Sequence, residues 1–183
     1  MKMELASGRL VNPLELSVDD VELGDIAHAL SLVCRYGGHA SRHYSVAEHS
    51  LLVERIVRME GGGPELCLWA LLHDASEAYL GDMIRPLKRL TAFAEYREIE
   101  ARAQRVVCAR FGLTGEMPEE VKSADNRVLA NEAAVLMRSG GRDWGVGQPV
   151  VGVSVPVGEP DWRMVRDMFK ARVEATYTER GLA

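Results

Sequence analysis

Glu65-Leu66-Cys67-Leu68-Trp69-Ala70-Leu71-Leu72-His73-Asp74-Ala75-Ser76-Glu77-Ala78-Tyr79-Leu80 is the stretch on which the fold turns. Leu66, Leu68, Trp69, Leu71 and Leu72 make its first half apolar on most sides, which suits a helix buried all round rather than one lying on a surface. Pro64 fits a first helical turn and Gly81 a stop, so one central helix is expected over Glu65–Leu80. Its apolar run is broken by His73-Asp74 and then Glu77. Charge inside a core is costly unless it is paired or coordinates a cation, so the most buried helix also carries a chemical question.

Outward from this stretch the chain reads as helices. Leu23, Ile26, Ala27, Leu30 and Val33 recur at helical spacing ahead of Gly37-Gly38. Ser45 and Glu48 form a capping box that starts a helix at about Val46, and the stripe Val46, Leu52, Val53, Ile56 and Val57 carries it to Met59, before Gly61-Gly62-Gly63. Pro86 marks a turn or single-turn helix within Met83–Arg89, and a longer helix should run from about Ala92 to Phe111, with Gly112 at its cap. Pro118-Glu119-Glu120 opens a helix expected to last to Gly140-Gly141, and a final amphipathic one covers about Asp161–Arg180. Leu5–Val21 has turn signals at Ser7-Gly8 and Asn12-Pro13 and reads as turns with one short strand. Residues 149–157 alternate valine with glycine and serine and can pair with that strand. The expected fold class is all-α: one domain over 1–183, a bundle of about six helices, with this minor strand pairing as its β content.

A chain of 183 residues, 47% hydrophobic and 27% charged, can bury a full core in one domain. No apolar stretch approaches the roughly 20 residues of a membrane-spanning helix, and the N-terminus lacks a basic region followed by an apolar block, so a cytoplasmic protein with no membrane partner is expected. A net charge of -5 provides no field for a polyanion, which excludes nucleic-acid polymers as expected partners and leaves room for a small anion at a local basic cluster. Cys34, Cys67 and Cys108 are widely separated, form no C-x-x-C pair, and read as small apolar residues.

His73 and Asp74 do not stand alone. His49 lies among apolar neighbours on the helix from Val46, and Asp125 takes a core-facing position within Val121–Leu129. Three helices can therefore bring two imidazoles and two carboxylates to one point. Mixed nitrogen and oxygen donors suit one divalent ion, Mn, Co, Zn, Fe or Mg, and four ligands leave positions open. Such an ion acidifies water and polarises a phosphoryl oxygen. Glu77 follows His73 by four residues and Asp74 by three, on the same face of a regular helix, and is the candidate general acid/base; Asp82, just past Gly81, is the candidate for positioning water or protonating a leaving oxygen. Arg35, Arg85 and Lys88 are the candidate phosphate-binding cations, Tyr36 offers an aromatic face to a sugar or base, and His39 and His43 in the same loop are candidate pocket-lining residues. His28 reads as structural.

These residues resemble the HD-domain phosphohydrolases, and within them the 5'-deoxynucleotidases typified by the bacterial YfbR proteins and the related phage deoxyadenosine triphosphatases. The resemblance runs from about Asp25 to Met137. It is carried by Tyr44-Ser45-Val46-Ala47-Glu48-His49-Ser50, His73-Asp74-Ala75-Ser76-Glu77 with Gly81-Asp82, Pro86-Leu87-Lys88, and Val121-Lys122-Ser123-Ala124-Asp125. It implies one metal on His49, His73, Asp74 and Asp125, catalytic roles for Glu77 and Asp82, and phosphate and sugar contacts for Arg35 and Tyr36, the latter standing where that family carries tryptophan. It also implies a homo-oligomer, a dimer or larger. No histidine follows His73, which disfavours the two-metal phosphodiesterases and di-iron oxygenases, and Ala78 after Glu77 departs from the His-Asp-x-x-Glu-Asp pattern of the guanosine tetraphosphate hydrolases. The expected activity is hydrolysis of a small nucleotide, first a 5'-(deoxy)nucleoside monophosphate to nucleoside and phosphate, second a (deoxy)nucleoside triphosphate with release of triphosphate. A nucleotide-sensing module is the expectation from another class.

Overall fold

The computed structural model describes residues 2–181. The N-terminal turn signals fold into an antiparallel hairpin, β1 (Met3–Glu4) and β2 (Leu10–Val11), with Met3 opposite Val11 and Glu4 opposite Leu10. Its turn is tied to the helical body by Asp25, whose carboxylate accepts the Ser7 backbone N–H at 2.7 Å and the Ser7 hydroxyl at 2.8 Å. Asp25 opens α1 (Leu23–Leu32), and a short 3-10 turn over Arg35–Gly38 follows. The capping box forms as the sequence predicts: Ser45 Oγ accepts the Glu48 N–H at 3.2 Å and Glu48 Oε2 accepts the Ser45 N–H at 3.0 Å, at the start of α2 (Val46–Met59). The remaining elements are α3 (Pro64–Leu72), the single turns α4 (Glu77–Leu80) and α5 (Arg85–Lys88), α6 (Ala94–Arg110), α7 (Glu119–Leu136) and α8 (Trp162–Glu179).

The fold is mostly all-α, with six helices of more than two turns and the hairpin as the only sheet among the described residues. Helix α3 packs against α2, α7 and α8, while α1 packs against α2, α4 and α8. Cys67, Leu68, Trp69, Ala70, Leu71 and Leu72 are all buried, so α3 is the centre of the core and its C-terminal end delivers His73 into that core. No helix among the described residues is long and apolar enough to cross a membrane.

Three expectations need correction. Residues 149–157 do not pair with the N-terminal segment: β1 takes β2 as its partner, Gly152 turns the chain at φ +83°, and side chains bond to the segment's backbone, Asn131 near its start and Arg42 at the Pro156 carbonyl (2.9 Å). Asn131 donates to the carbonyls of Val150 (3.0 Å) and Val153 (2.8 Å) and accepts the Val150 N–H (2.8 Å), so Val153 and Val155 are buried without a strand. The helix expected to last to Gly140 stops at Leu136, where Met137 turns extended and the Leu136 carbonyl accepts the Ser41 N–H at 2.9 Å. The helix expected over Glu65–Leu80 is broken between Leu72 and Glu77, at the residues that carry the candidate chemistry.

Candidate metal centre

The three helices converge as the sequence predicts. His49 comes from α2, His73 and Asp74 from the break after α3, and Asp125 from α7. One donor atom from each of His49, His73 and Asp74 lies within 4.8 Å of the other two. The two Nε2 atoms are 3.3 Å apart, and Asp74 Oδ2 is 3.2 Å from His73 Nε2 and 3.8 Å from His49 Nε2. Asp125 lies outside that mutual group but near both histidines, with Oδ1 3.1 Å from His49 Nε2 and 4.0 Å from His73 Nε2.

The outer shell fixes the tautomers. His49 Nδ1 is 2.6 Å from Glu132 Oε1 and His73 Nδ1 is 2.8 Å from the Ala70 carbonyl. Carbonyl and carboxylate oxygens only accept, so both Nδ1 atoms carry hydrogen and both Nε2 lone pairs face the same point. Two lone pairs and two carboxylate oxygens directed at one another repel unless something positive lies between them. Asp125 Oδ1 is also buried without a hydrogen-bond partner. The donor set therefore fits a divalent cation, with both imidazoles oriented by the outer-shell acceptors usual for metal ligands. Burial works against an imidazolium at His73, yet Asp74 and then Asp125 raise its pKa to about 9. Despite burial, His73, followed by His49 and Arg35, holds the Asp74 carboxylate well below its usual range.

Glu77 begins α4 and is buried, with Oε2 lacking a partner. Burial, followed by the charges of Asp74 and Asp82, pushes its carboxyl well above the usual range. Burial also raises Asp82, against the pull of Arg35 and Lys88. Glu77 is thus a buried carboxyl and Asp82 a partly buried one, both with a preference for holding protons, near the Asp74 carboxylate.

The candidate cations all have carboxylate partners. Arg35 is buried, with one guanidinium nitrogen 3.6 Å from Asp74 Oδ2 and the other 3.6 Å from Glu132 Oε2. Arg85 reaches Asp125 Oδ2 at 3.2 Å, and Lys88 Nζ meets Glu100 at 2.6 Å. Tyr36 sits at φ +58°, donates its hydroxyl to Glu132, and has its ring 5.9 Å from that of the exposed Trp144. The structure does not bring His39 or His43 into the cluster: His39 is exposed, and His43 Nε2 lies 3.4 Å from the Leu32 carbonyl at the end of α1. His28 packs edge-on against Trp162 at 5.3 Å, a structural contact.

Glu132 is the principal residue beyond the sequence reading. It is fully buried and accepts from His49, from Tyr44 at 2.8 Å and from Tyr36, while facing Arg35. Burial opposes its charge, but Arg35 and His49 lower its pKa to about 2. It lies seven residues after Asp125, two helical turns along the same face, and that periodicity was the available signal.

No protein-family model matches the chain. Over 132 residues, 72% of this chain and 70% of the relative, it is 39% identical to a protein of Escherichia coli described as the uncharacterized protein YfdR. The chain belongs to the YfdR family. It is also 43% identical over 124 residues, 66% of this chain, to the uncharacterized protein RCAP_rcc00048 of Rhodobacter capsulatus, of which it spans 63%. Both names are silent on activity, so a function for this member of the YfdR family is argued from the site alone.

Proposed function

We propose that this protein is a metal-dependent phosphohydrolase of the HD-domain type that acts on a small nucleotide, with a 5'-(deoxy)nucleoside monophosphate as the first substrate class and a (deoxy)nucleoside triphosphate as the second. The observation that carries this reading is the pair of Nε2 atoms 3.3 Å apart, each on a ring whose other nitrogen is already committed, with Asp74 and Asp125 closing around them. One divalent ion, Mn, Co, Zn, Fe or Mg, is the proposed cofactor; when bound it supplies Lewis acidity toward a phosphoryl oxygen and lowers the pKa of water.

The chain's own residues do the rest. His49, His73, Asp74 and Asp125 would hold the ion, and Glu132 and the Ala70 carbonyl fix the orientation of the two rings through Nδ1. Glu77, enclosed next to Asp74, moves a proton at its carboxyl, and Asp82 holds or returns a proton at the leaving oxygen. Arg85, with its side chain 49% exposed and Nη2 on Asp125 Oδ2, is able to swing from that carboxylate to a phosphate, and Lys88 adds charge on the same side. Arg35 holds Asp74 and Glu132 in place and presents a buried, unpartnered Nε. The activity belongs in the cytoplasm, where nucleotides are, and a homo-oligomer is the proposed assembly.

The test is a panel of nucleoside mono-, di- and triphosphates with the metal varied and products separated by chromatography. Release of phosphate from dAMP in cobalt or manganese supports the first class, and release of intact triphosphate from dATP the second. Hydrolysis of neither in any metal would overturn the phosphohydrolase reading.

A further inference from the structure

The helix expected over Glu65–Leu80 breaks because another helix reaches into it. In an uninterrupted helix the Ser76 N–H would bond to the Leu72 carbonyl four residues back. Here the side-chain carboxamide of Gln104, from α6, takes both partners: Oε1 accepts the Ser76 N–H at 3.0 Å and Nε2 donates to the Leu72 carbonyl at 2.6 Å. The amide orientation is fixed, since a flipped carboxamide would set hydrogen against hydrogen and oxygen against oxygen, and the other Nε2 hydrogen is directed to Cys108 Sγ at 3.5 Å. A side chain inserted into the backbone ladder is a recognised cause of helix distortion.

The distortion has a chemical consequence. Adjacent residues on a regular helix diverge by roughly 100° and do not face one another. Between Leu72 and Glu77 the bonds tighten to a three-residue spacing, Ala75 to Leu72 at 3.1 Å and Glu77 to Asp74 at 3.0 Å, and the four-residue ladder resumes with Leu80 to Ser76 at 3.2 Å. Within this altered turn the neighbours His73 and Asp74 bring Nε2 and Oδ2 to 3.2 Å, and His73 folds its Nδ1 back on the Ala70 carbonyl.

We infer that Gln104 is a positioning residue of the metal centre: by occupying the missing Leu72–Ser76 bond it holds the turn in the shape that lets two successive residues ligate one ion. This rests on the metal-centre reading above and adds a residue that touches neither metal nor substrate. The test uses cobalt(II) alone, titrated into the full chain and into Gln104→Leu and Gln104→Glu, with affinity and visible absorption as readouts and helicity and thermal midpoint recorded without metal. Gln104→Leu should let the ladder re-form, so folded protein of equal or greater helicity should bind cobalt at least about tenfold more weakly with an altered spectrum, as expected on losing an outer-shell support. A purely structural Gln104 would lower the thermal midpoint and leave cobalt affinity and spectrum as in the parent, which would overturn the inference. If Gln104→Leu does not fold, Gln104→Glu decides: it keeps the acceptor for Ser76 and loses the donor to Leu72, and parental affinity there overturns the inference while a tenfold loss supports it. A parent chain that binds no cobalt refutes the metal centre itself, a result distinct from parent and variants binding alike.

Discussion

Glu77 and Glu132 are both buried carboxyls near the cluster, and their environments assign them different work. Glu132 has every oxygen engaged and a cationic neighbour, whereas Glu77 has an oxygen without a partner and two acids for company. Glu77→Ala should therefore keep its metal, measured by elemental analysis, and lose phosphate release by about a hundredfold to ten-thousandfold, the range usual for general acid–base groups. Full activity in that variant would remove Glu77 from the reaction. Glu132→Gln keeps the shape and loses the charge, leaving Arg35 short of a counter-ion and His49 less firmly oriented. Its metal affinity should fall about tenfold to a hundredfold. Its stability in urea should fall by about 3 kcal/mol or more, as for a buried ion pair that loses one partner. Unchanged affinity and stability would deny Glu132 its outer-shell role. His73 and Asp74 stood out because they interrupt an apolar run where an unpaired polar group is costly, and His49 and Asp125 because they fall at core-facing positions of their helices. Gln104 was not, since Arg102-Ala103-Gln104-Arg105 looks like any solvated helix face until α6 is laid across the end of α3.

At the scale of elements, the capping box, the apolar stripe of α2 and the triple glycine after it agreed on one helix, and local signals of that kind placed most of the bundle. The break after α3 and the early end of α7 depend on partners distant in sequence, Gln104 and Ser41, which periodicity cannot register. The two helices that bring His49 and Asp125 together are also clamped at their surface: Arg127 of α7 makes a bidentate pair with Glu60, at the C-terminal cap of α2, at 2.6 and 2.8 Å. The Arg127 hydrogen bonds hold the Glu60 carboxyl below its usual value. A carboxyl lowered by folding stabilises fully above its unfolded pKa and loses that contribution as pH falls through the lower folded value. Arg127→Ala should thus cost at most about 1 kcal/mol at neutral pH, because both side chains are substantially exposed, and the gap from the parent should close as urea melts are repeated from pH 6 down to pH 3. A gap that widens with acid would contradict this pairing.

For the whole molecule, one core built on α3 delivers histidines and acids from separate parts of the chain to a single point, and the all-α class followed from the apolar patterning that builds that core. The minor strand expected at 149–157 does not form: side chains rather than a sheet partner take backbone groups there, Asn131 at Val150 and Val153 and Arg42 at Pro156. The measurement that bears most directly on the central claim is X-ray diffraction from crystals grown with manganese or cobalt, recorded at and away from the metal's absorption edge. One anomalous peak per chain is expected within bonding distance of His49 Nε2, His73 Nε2 and carboxylate oxygens of Asp74 and Asp125. No peak there in metal-replete crystals, or a peak held by other residues, would contradict it.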